Sequence, residues 1–241
     1  MRVSLFITCL ADQFFANAGA DAVRLLRSLN VDVDFPPDQT CCGQPAFNAG
    51  YWDEARSMAR HTLEVFKGAQ YIVLPSGSCA AMIRTFYARL FESGSAARRQ
   101  AEVMAARTFE LAEFVVKVLD VDELGRGLEG KTVIYHHGCH ALRELNIREE
   151  PVRLLRNSGA KLADWEAAEE CCGFGGVFSV KLPEVSAAMA DRKLDTLPPA
   201  DFLTSADGGC LLHLSGRMKN RGFELPVRPL ASVLWEARRE G

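Results

Sequence analysis

The chain of 241 residues contains eight cysteines, and they fall into two sets of the same order: Cys9, Cys41, Cys42 and Cys79, then Cys139, Cys171, Cys172 and Cys210. The second set follows the first at offsets of 130, 130, 130 and 131 residues. Four offsets that agree within one residue describe an internal duplication, so any fold proposed for one half must serve the other. Each half also carries the step Cys-Cys-Gly, at 41–43 and 171–173. Two adjacent, oxidisable side chains are a liability unless something holds them.

The flanking sequence repeats as well. The β-branched and aromatic run from Val3 to Thr8 ends at Cys9, and the run from Lys131 to Tyr135 ends shortly before Cys139; both read as strands. Apolar residues three and four apart predict helices over Asp21–Leu29 and Pro151–Arg156, stopped at Asn30 and at Asn157-Ser-Gly159. Short extended segments follow, Val31–Phe35 and Lys161–Trp165, and then the paired cysteines. Further helices are expected at about Trp52–Lys67 and Pro183–Thr196, and third strands at Tyr71–Pro75 and Asp201–Thr204. Each third strand leads through a glycine-containing turn into Cys79 or Cys210. Strands alternating with helices predict an α/β fold of two tandem domains with mainly parallel sheets. We expect the domains to span 1–125 and 126–241, with a bridging helix over about 96–119 and a boundary at the three glycines of 125–130. In this reading every cysteine lies just beyond the carboxyl end of a strand, the edge where open α/β sheets collect ligands. Loops far apart in sequence then bring four thiols together in each half.

Composition narrows the setting. A net charge of −3 and a pI near 6.0 leave no basic footprint for nucleic acid. No apolar run reaches the roughly 18–20 residues of a membrane span. The apolar start of the chain ends at Leu10, before Asp12, and reads as a buried strand and not a secretory signal. A cytoplasmic location is therefore expected, and structural disulfides are rare there.

Four chemistries compete for the thiols. Neighbouring Cα atoms are about 3.8 Å apart, below the roughly 4.4–6.8 Å of a disulfide, so Cys41–Cys42 and Cys171–Cys172 are poor bridges. Structural zinc accepts four thiolates but is usually built from Cys-x2–4-Cys knuckles, which are absent. A metal-free dithiol relay uses the adjacent pairs and leaves Cys9, Cys79, Cys139 and Cys210 unexplained. An iron–sulfur cluster employs all four soft donors of a set, although the ferredoxin spacing is missing. The glycine after each pair is then expected to let backbone approach the cluster.

These residues carry a family resemblance. The segments Phe6–Phe14, Cys41–Pro45 and Pro75–Met82, with Tyr135–His140, Arg143, Cys171–Gly176 and Phe178–Lys181, resemble the cysteine-rich CCG proteins, most closely the lactate-utilisation protein A family. The cysteine-rich component of heterodisulfide reductase and the iron–sulfur component of glycolate oxidase are similar modules. The resemblance implies an electron-transfer subunit bearing clusters of the 4Fe-4S type, with the eight cysteines as ligands. It implies a part in oxidising L-lactate to pyruvate, alongside a ferredoxin-domain iron–sulfur protein and a third component. A heterodisulfide or thiol reductase activity and a zinc-stabilised scaffold are the alternatives. No Gly-x-Gly-x-x-Gly follows a predicted strand, so no nicotinamide or flavin site of its own is expected.

One departure stands out. The fuller pattern ends in Cys-x-x-Cys, whereas this chain has Cys79-Ala-Ala-Met82 and Cys210-Leu-Leu-His213. Met82 reads as an apolar helix residue. His213 and His140 are candidate accessory donors, although His213 is read first as a hydrogen-bonded histidine near the cluster, and the group His136, His137 and His140 is expected to hydrogen-bond around the second set. Phe14 and Phe15 are expected in the core.

Overall fold

The computed structural model describes residues 1–239; Glu240 and Gly241, the end of the expected second domain, lie outside the described residues. The duplication is visible in two four-stranded sheets, both wholly parallel. In the first, β1 (Arg2–Leu5) is central, flanked by β2 (Asp32–Asp34) and β3 (Tyr71–Leu74), with β4 (Thr108–Glu110) at the edge in the order β2-β1-β3-β4. In the second, β5 (Thr132–Tyr135), β6 (Lys161–Leu162), β7 (Phe202–Ser205) and β8 (Val227–Pro229) repeat it as β6-β5-β7-β8. Register repeats too: Val3 pairs with Tyr71 and Val133 with Phe202. The central strands are continuous apolar runs because helices cover both faces of a parallel sheet. Val3, Leu5, Ile72, Val73 and Leu74 are essentially inaccessible.

Each sheet has one strand more than the sequence suggested. The expected helix over 96–119 is interrupted: a helix runs from Ala96 to Ala106, Thr108–Glu110 pairs with β3 as β4, and helical structure resumes at Leu111. The chain is turned at Arg107, whose guanidinium donates to the carbonyls of Phe66, Lys67 and Ala69. Thr108 Oγ1 closes the preceding helix on the Met104 carbonyl at 2.8 Å. Beyond β4 and β8 the halves exchange helices. The segment Leu111–Val118, which ends in a wide π-helical turn, packs on the helix Glu149–Asn157 of the second half. Reciprocally, the helix Leu230–Arg239 packs on Ala16–Ser28 of the first. Lys117 bridges Glu113 and Glu150 across this junction. One apolar core therefore runs through both halves, joining Val3, Leu25 and Leu26 to Val133, Leu155 and Leu234. The glycine-rich connection is clamped in it: a Cβ on Gly127 would lie 2.6 Å from the Glu236 carbonyl oxygen. Below, "lobe" denotes each sheet with its flanking elements.

A cleft lined by two sets of thiols

All eight cysteines stand at the carboxyl edge of a sheet, and all eight line one cleft of about 210 Å³ between the lobes. Cys9 and Cys139 open the helices Cys9–Phe14 and Cys139–Glu144 after β1 and β5. Cys79 and Cys210 sit in the first turn of the helices Gly77–Ala81 and Gly208–Asn220 after β3 and β7. Thr8 and Ser76 cap two of these starts, accepting from the amides of Ala11 at 3.3 Å and Cys79 at 3.3 Å. The paired cysteines come from the loops after β2 and β6. The convergence expected from the sequence is present, and both sets share one space.

Every cysteine is free. Within the first lobe the adjacent pair splits: Cys41 Sγ meets Cys9 Sγ at 3.6 Å, and Cys42 Sγ meets Cys79 Sγ at 3.3 Å. The second lobe repeats the pairing, Cys171 with Cys139 and Cys172 with Cys210. Thiols this close share protons unequally. Hydrogen bonds from Cys42 and Cys9 hold the Cys41 thiol far below its usual range, and bonds from Cys139 and Cys172 do the same for Cys171. The donors become less acidic in return: Cys9 and Cys139 are raised by the bond each makes to that thiolate and by burial, as are Cys42 and Cys172. Each set thus forms a compact group of soft donors, a pattern suited to a thiophilic metal.

The glycine of each Cys-Cys-Gly step serves the turn. Gly43 and Gly173 have φ of +84° and +88°, and a Cβ on Gly173 would lie 2.6 Å from the Ser186 carbonyl oxygen. The obstruction it avoids is the helix Pro183–Asp195, and not a group in the cleft as the sequence suggested. The tight turn also aims the amides of Gly173 and Phe174 at the sulfurs of Cys171 and Cys172, each at 3.5 Å.

The histidines divide between the cleft, the wall behind it and a neighbouring helix. His213 does not line the cleft; its Nε2 lies 3.2 Å from Ser186 Oγ, on the neighbouring helix. His140 lines the cleft, with Nδ1 3.3 Å from Glu144 Oε2. His136, given no individual role from sequence, is fully buried behind the second set. One of its ring nitrogens, Cys172 Sγ and Cys210 Sγ all lie within 4.8 Å of one another. Burial holds its imidazole neutral, with a pKa lowered to about 3, and His137 beside it is lowered to about 4 for the same reason. Comparing the halves by their offset would have revealed His136, since the equivalent residue in the first is Phe6. Met82 is buried as expected, Phe15 packs in the core, and Phe14 is instead 61% exposed.

The lobes meet at Asp207. Its Oδ1 accepts from the Ser78 amide at 2.8 Å and from Ser76 Oγ at 3.0 Å, both across the cleft floor. Gly77 and Gly138 permit this approach: a Cβ on Gly77 would lie 2.5 Å from Ala141 Cβ, and one on Gly138 only 1.9 Å from Asp207 Oδ2.

Comparison with known proteins agrees with the duplication. The cysteine-rich domain (CCG) model matches twice, over residues 3–84 and 133–215. Lactate utilization protein A of Geobacillus sp. (strain WCH70) is 44% identical over 237 residues, covering 97% of this chain and 99% of the relative. The protein of that name from Shouchella clausii (strain KSM-K16) is also 44% identical over 237 residues, covering 97% and 98%. Lactate utilization protein A 1 of Bacillus mycoides (strain KBAB4) is 40% identical over 244 residues, covering 100% and 99%. With its repeated cysteine-rich domain and full-length likeness to these relatives, the chain belongs to the lactate utilization protein A family.

Proposed function

We propose that the chain is an iron–sulfur electron-transfer subunit of an assembly that oxidises L-lactate to pyruvate. Cys9, Cys41, Cys42 and Cys79 would hold one cluster of the 4Fe-4S type, and Cys139, Cys171, Cys172 and Cys210 a second. The observation that carries this reading is the gathering of eight free thiols, four from each lobe, around one cleft. Four thiolates match the ligand count of such a cluster. Unassisted, the sets retain their protons on Cys9, Cys42, Cys139 and Cys172 because these thiols hydrogen-bond to neighbouring sulfurs and are buried; a cation takes the place of the protons. When bound, such clusters supply one-electron storage. The protein's own residues do the rest: the turns at Gly43 and Gly173 position the paired sulfurs, the Gly173 and Phe174 amides donate to two of them, and the apolar floor around Cys42 and Cys172 limits water. The relatives' name supports lactate as the metabolic context. We place a ferredoxin-domain iron–sulfur protein and a third component as its partners.

Anaerobic purification with iron, sulfide and zinc analysis tests the reading. Brown protein carrying iron and acid-labile sulfide in equal amounts is expected, with absorbance bleached by dithionite. Colourless protein with stoichiometric zinc overturns it in favour of a scaffold. A deletion strain is expected to lose growth on L-lactate as sole carbon source and to regain it on complementation.

A further inference from the structure

The thiols of the two lobes are duplicated faithfully, but the walls behind them are not. Behind Cys42 the first lobe places Phe6, fully buried, and the Thr62 hydroxyl, which meets Tyr87 Oη at 3.2 Å. Aligned on the repeat, Phe6 corresponds to His136 at the offset of 130, and Thr62 to Lys193 at the offset of 131 that holds from the second long helix onward. His136 and Lys193 are both fully buried. The Lys193 ammonium lies 3.9 Å above the Trp165 ring and donates to the Ala167 carbonyl.

The imidazole has one nitrogen committed and one unpartnered. His136 Nδ1 lies 3.2 Å from the Ala168 carbonyl oxygen, an acceptor, which fixes the proton on Nδ1. Nε2 is buried with no hydrogen-bond partner among the described residues. A bare imidazole lone pair buried without a donor is costly, and native proteins rarely leave one so. One ring nitrogen of His136 and the sulfurs of Cys172 and Cys210 lie within 4.8 Å of one another. One ring nitrogen held on a backbone carbonyl, which leaves the other free to coordinate, is the usual outer support of a histidine ligand.

We propose that His136 Nε2 is a direct metal donor to the second thiol set, taking the position of one of its four thiolates, so that the second lobe holds its metal centre through mixed thiolate–imidazole ligation and the first through thiolates alone. The inference rests on the metal-centre reading above and deepens it. It makes the two centres chemically unequal. Exchanging anionic thiolate character for a neutral imidazole favours the more reduced cluster, as in Rieske centres, and the Lys193 ammonium acts in the same direction. The second centre is then the higher-potential one, and electrons shared across the cleft rest in the second lobe.

The test is pulsed electron paramagnetic resonance on the anaerobically purified, reduced full chain labelled with 15N-histidine, beside an unlabelled sample. A nitrogen hyperfine coupling of directly bound imidazole, which changes with the isotope, is expected on one of two cluster signals. It should be absent from His136→Phe, the residue the first lobe uses, and retained in His213→Ala and His140→Ala. Iron-loaded wild-type protein without such a coupling overturns the inference, as does its persistence in His136→Phe. Because the decisive measurement is on the wild type, failure of a variant to fold leaves the result readable. If the protein carries no iron, the cluster reading fails separately, and Co(II) added to metal-free protein becomes the probe. Its visible ligand-field bands should then differ between wild type and His136→Phe, and identical spectra overturn the inference.

Discussion

Removing the Asp207 carboxylate should loosen the junction on which the shared cleft depends. The side chain is 4% exposed and makes two bonds into the first lobe, to the Ser78 amide at 2.8 Å and to Ser76 Oγ at 3.0 Å. Ser76 is itself the counterpart of Asp207 in the repeat, so the contact joins equivalent points of the two halves. Hydrogen bonds to a charged group contribute about 1.5–3 kcal/mol each, which puts the pair at about 3–6 kcal/mol. Burying the carboxylate offsets part of this, and water from the adjacent cleft can reach the freed donors. We therefore expect Asp207→Ala to destabilise the metal-free, reduced protein by about 3 kcal/mol, at the lower end of that range. Asp207→Asn keeps an acceptor without the charge and should cost about half as much. With a urea dependence of about 2–3 kcal/mol per molar, the alanine variant should unfold about 1 M earlier by circular dichroism. Gly138 provides an internal control. Its added Cβ would lie 1.9 Å from Asp207 Oδ2 but 3.5 Å from Asp207 Cβ. Gly138→Ala should be severe alone and mild in the Asp207→Ala background, a coupling that a double-mutant cycle reads directly. Equal cost of Gly138→Ala in both backgrounds, or an Asp207→Ala midpoint unchanged within about 0.2 M, an amount comparable to extrapolation error, would refute the proposed junction.

Exposure alone makes Cys9 the first thiol to react in metal-free protein, whereas proton sharing points to Cys41 and Cys171; limited iodoacetamide labelling at pH 6 with peptide mapping should find the latter two modified first, at rates nearly flat to pH 8. Cys9 labelling first, with a steep rise in pH, would contradict this. Gly173→Ala forces a left-handed turn on alanine and pushes its Cβ to 2.6 Å from the Ser186 carbonyl oxygen, so it should unfold earlier in urea and retain about half the metal of the wild type by elemental analysis. Glu110, 1% exposed, caps the Ala112 and Glu113 amides at 2.7 and 3.1 Å, and burial raises its pKa from 4.5 to about 8. Because the folded state then binds the extra proton, this group favours folding below pH 4.5 and loses that contribution as pH rises through about 8. Glu110→Gln should flatten this fall, by up to about 1.4 kcal/mol per pH unit, in urea unfolding followed from pH 5 to 8; parallel pH profiles for wild type and variant would exclude the burial argument.

The parts of the fold legible in the sequence are those in which one property dominates. Val3–Leu5, Tyr71–Leu74, Thr132–Tyr135 and Phe202–Ser205 are central strands buried on both faces, so their apolar runs stand out, and the cysteines placed after them followed. Thr108–Glu110 and Val227–Pro229 were hidden because an edge strand of three residues needs only one partner and tolerates polar side chains. Within 96–119 the helical spacing runs straight across the break, and what stops the helix is Arg107 reaching carbonyls some forty positions back, a contact without local signature. For His213 a hydrogen-bonded role was legible, but its partner was not. Three residues beyond Cys210 it occupies a ligand's place in the motif, yet Ser186 on another helix takes up its Nε2.

The exchange of terminal helices explains why two lobes present one site and not two. A duplicated α/β unit left to itself exposes the apolar faces of its last helix and of the helix after its first strand. Here each half covers the other's: Leu230–Arg239 lies on Ala16–Ser28, and Leu111–Val118 on Glu149–Asn157. That reciprocal packing builds the shared core on one side of the sheets and brings their carboxyl edges face to face, with Ser76 and Asp207 in contact. Once the edges face each other, the two thiol sets address a common space. A change behind either set then alters one thiol set relative to the other without moving a cysteine. The differences between Phe6 and His136 and between Thr62 and Lys193 are of the kind such an architecture admits: the repeat preserves the donors, and the walls are free to make the two halves unequal.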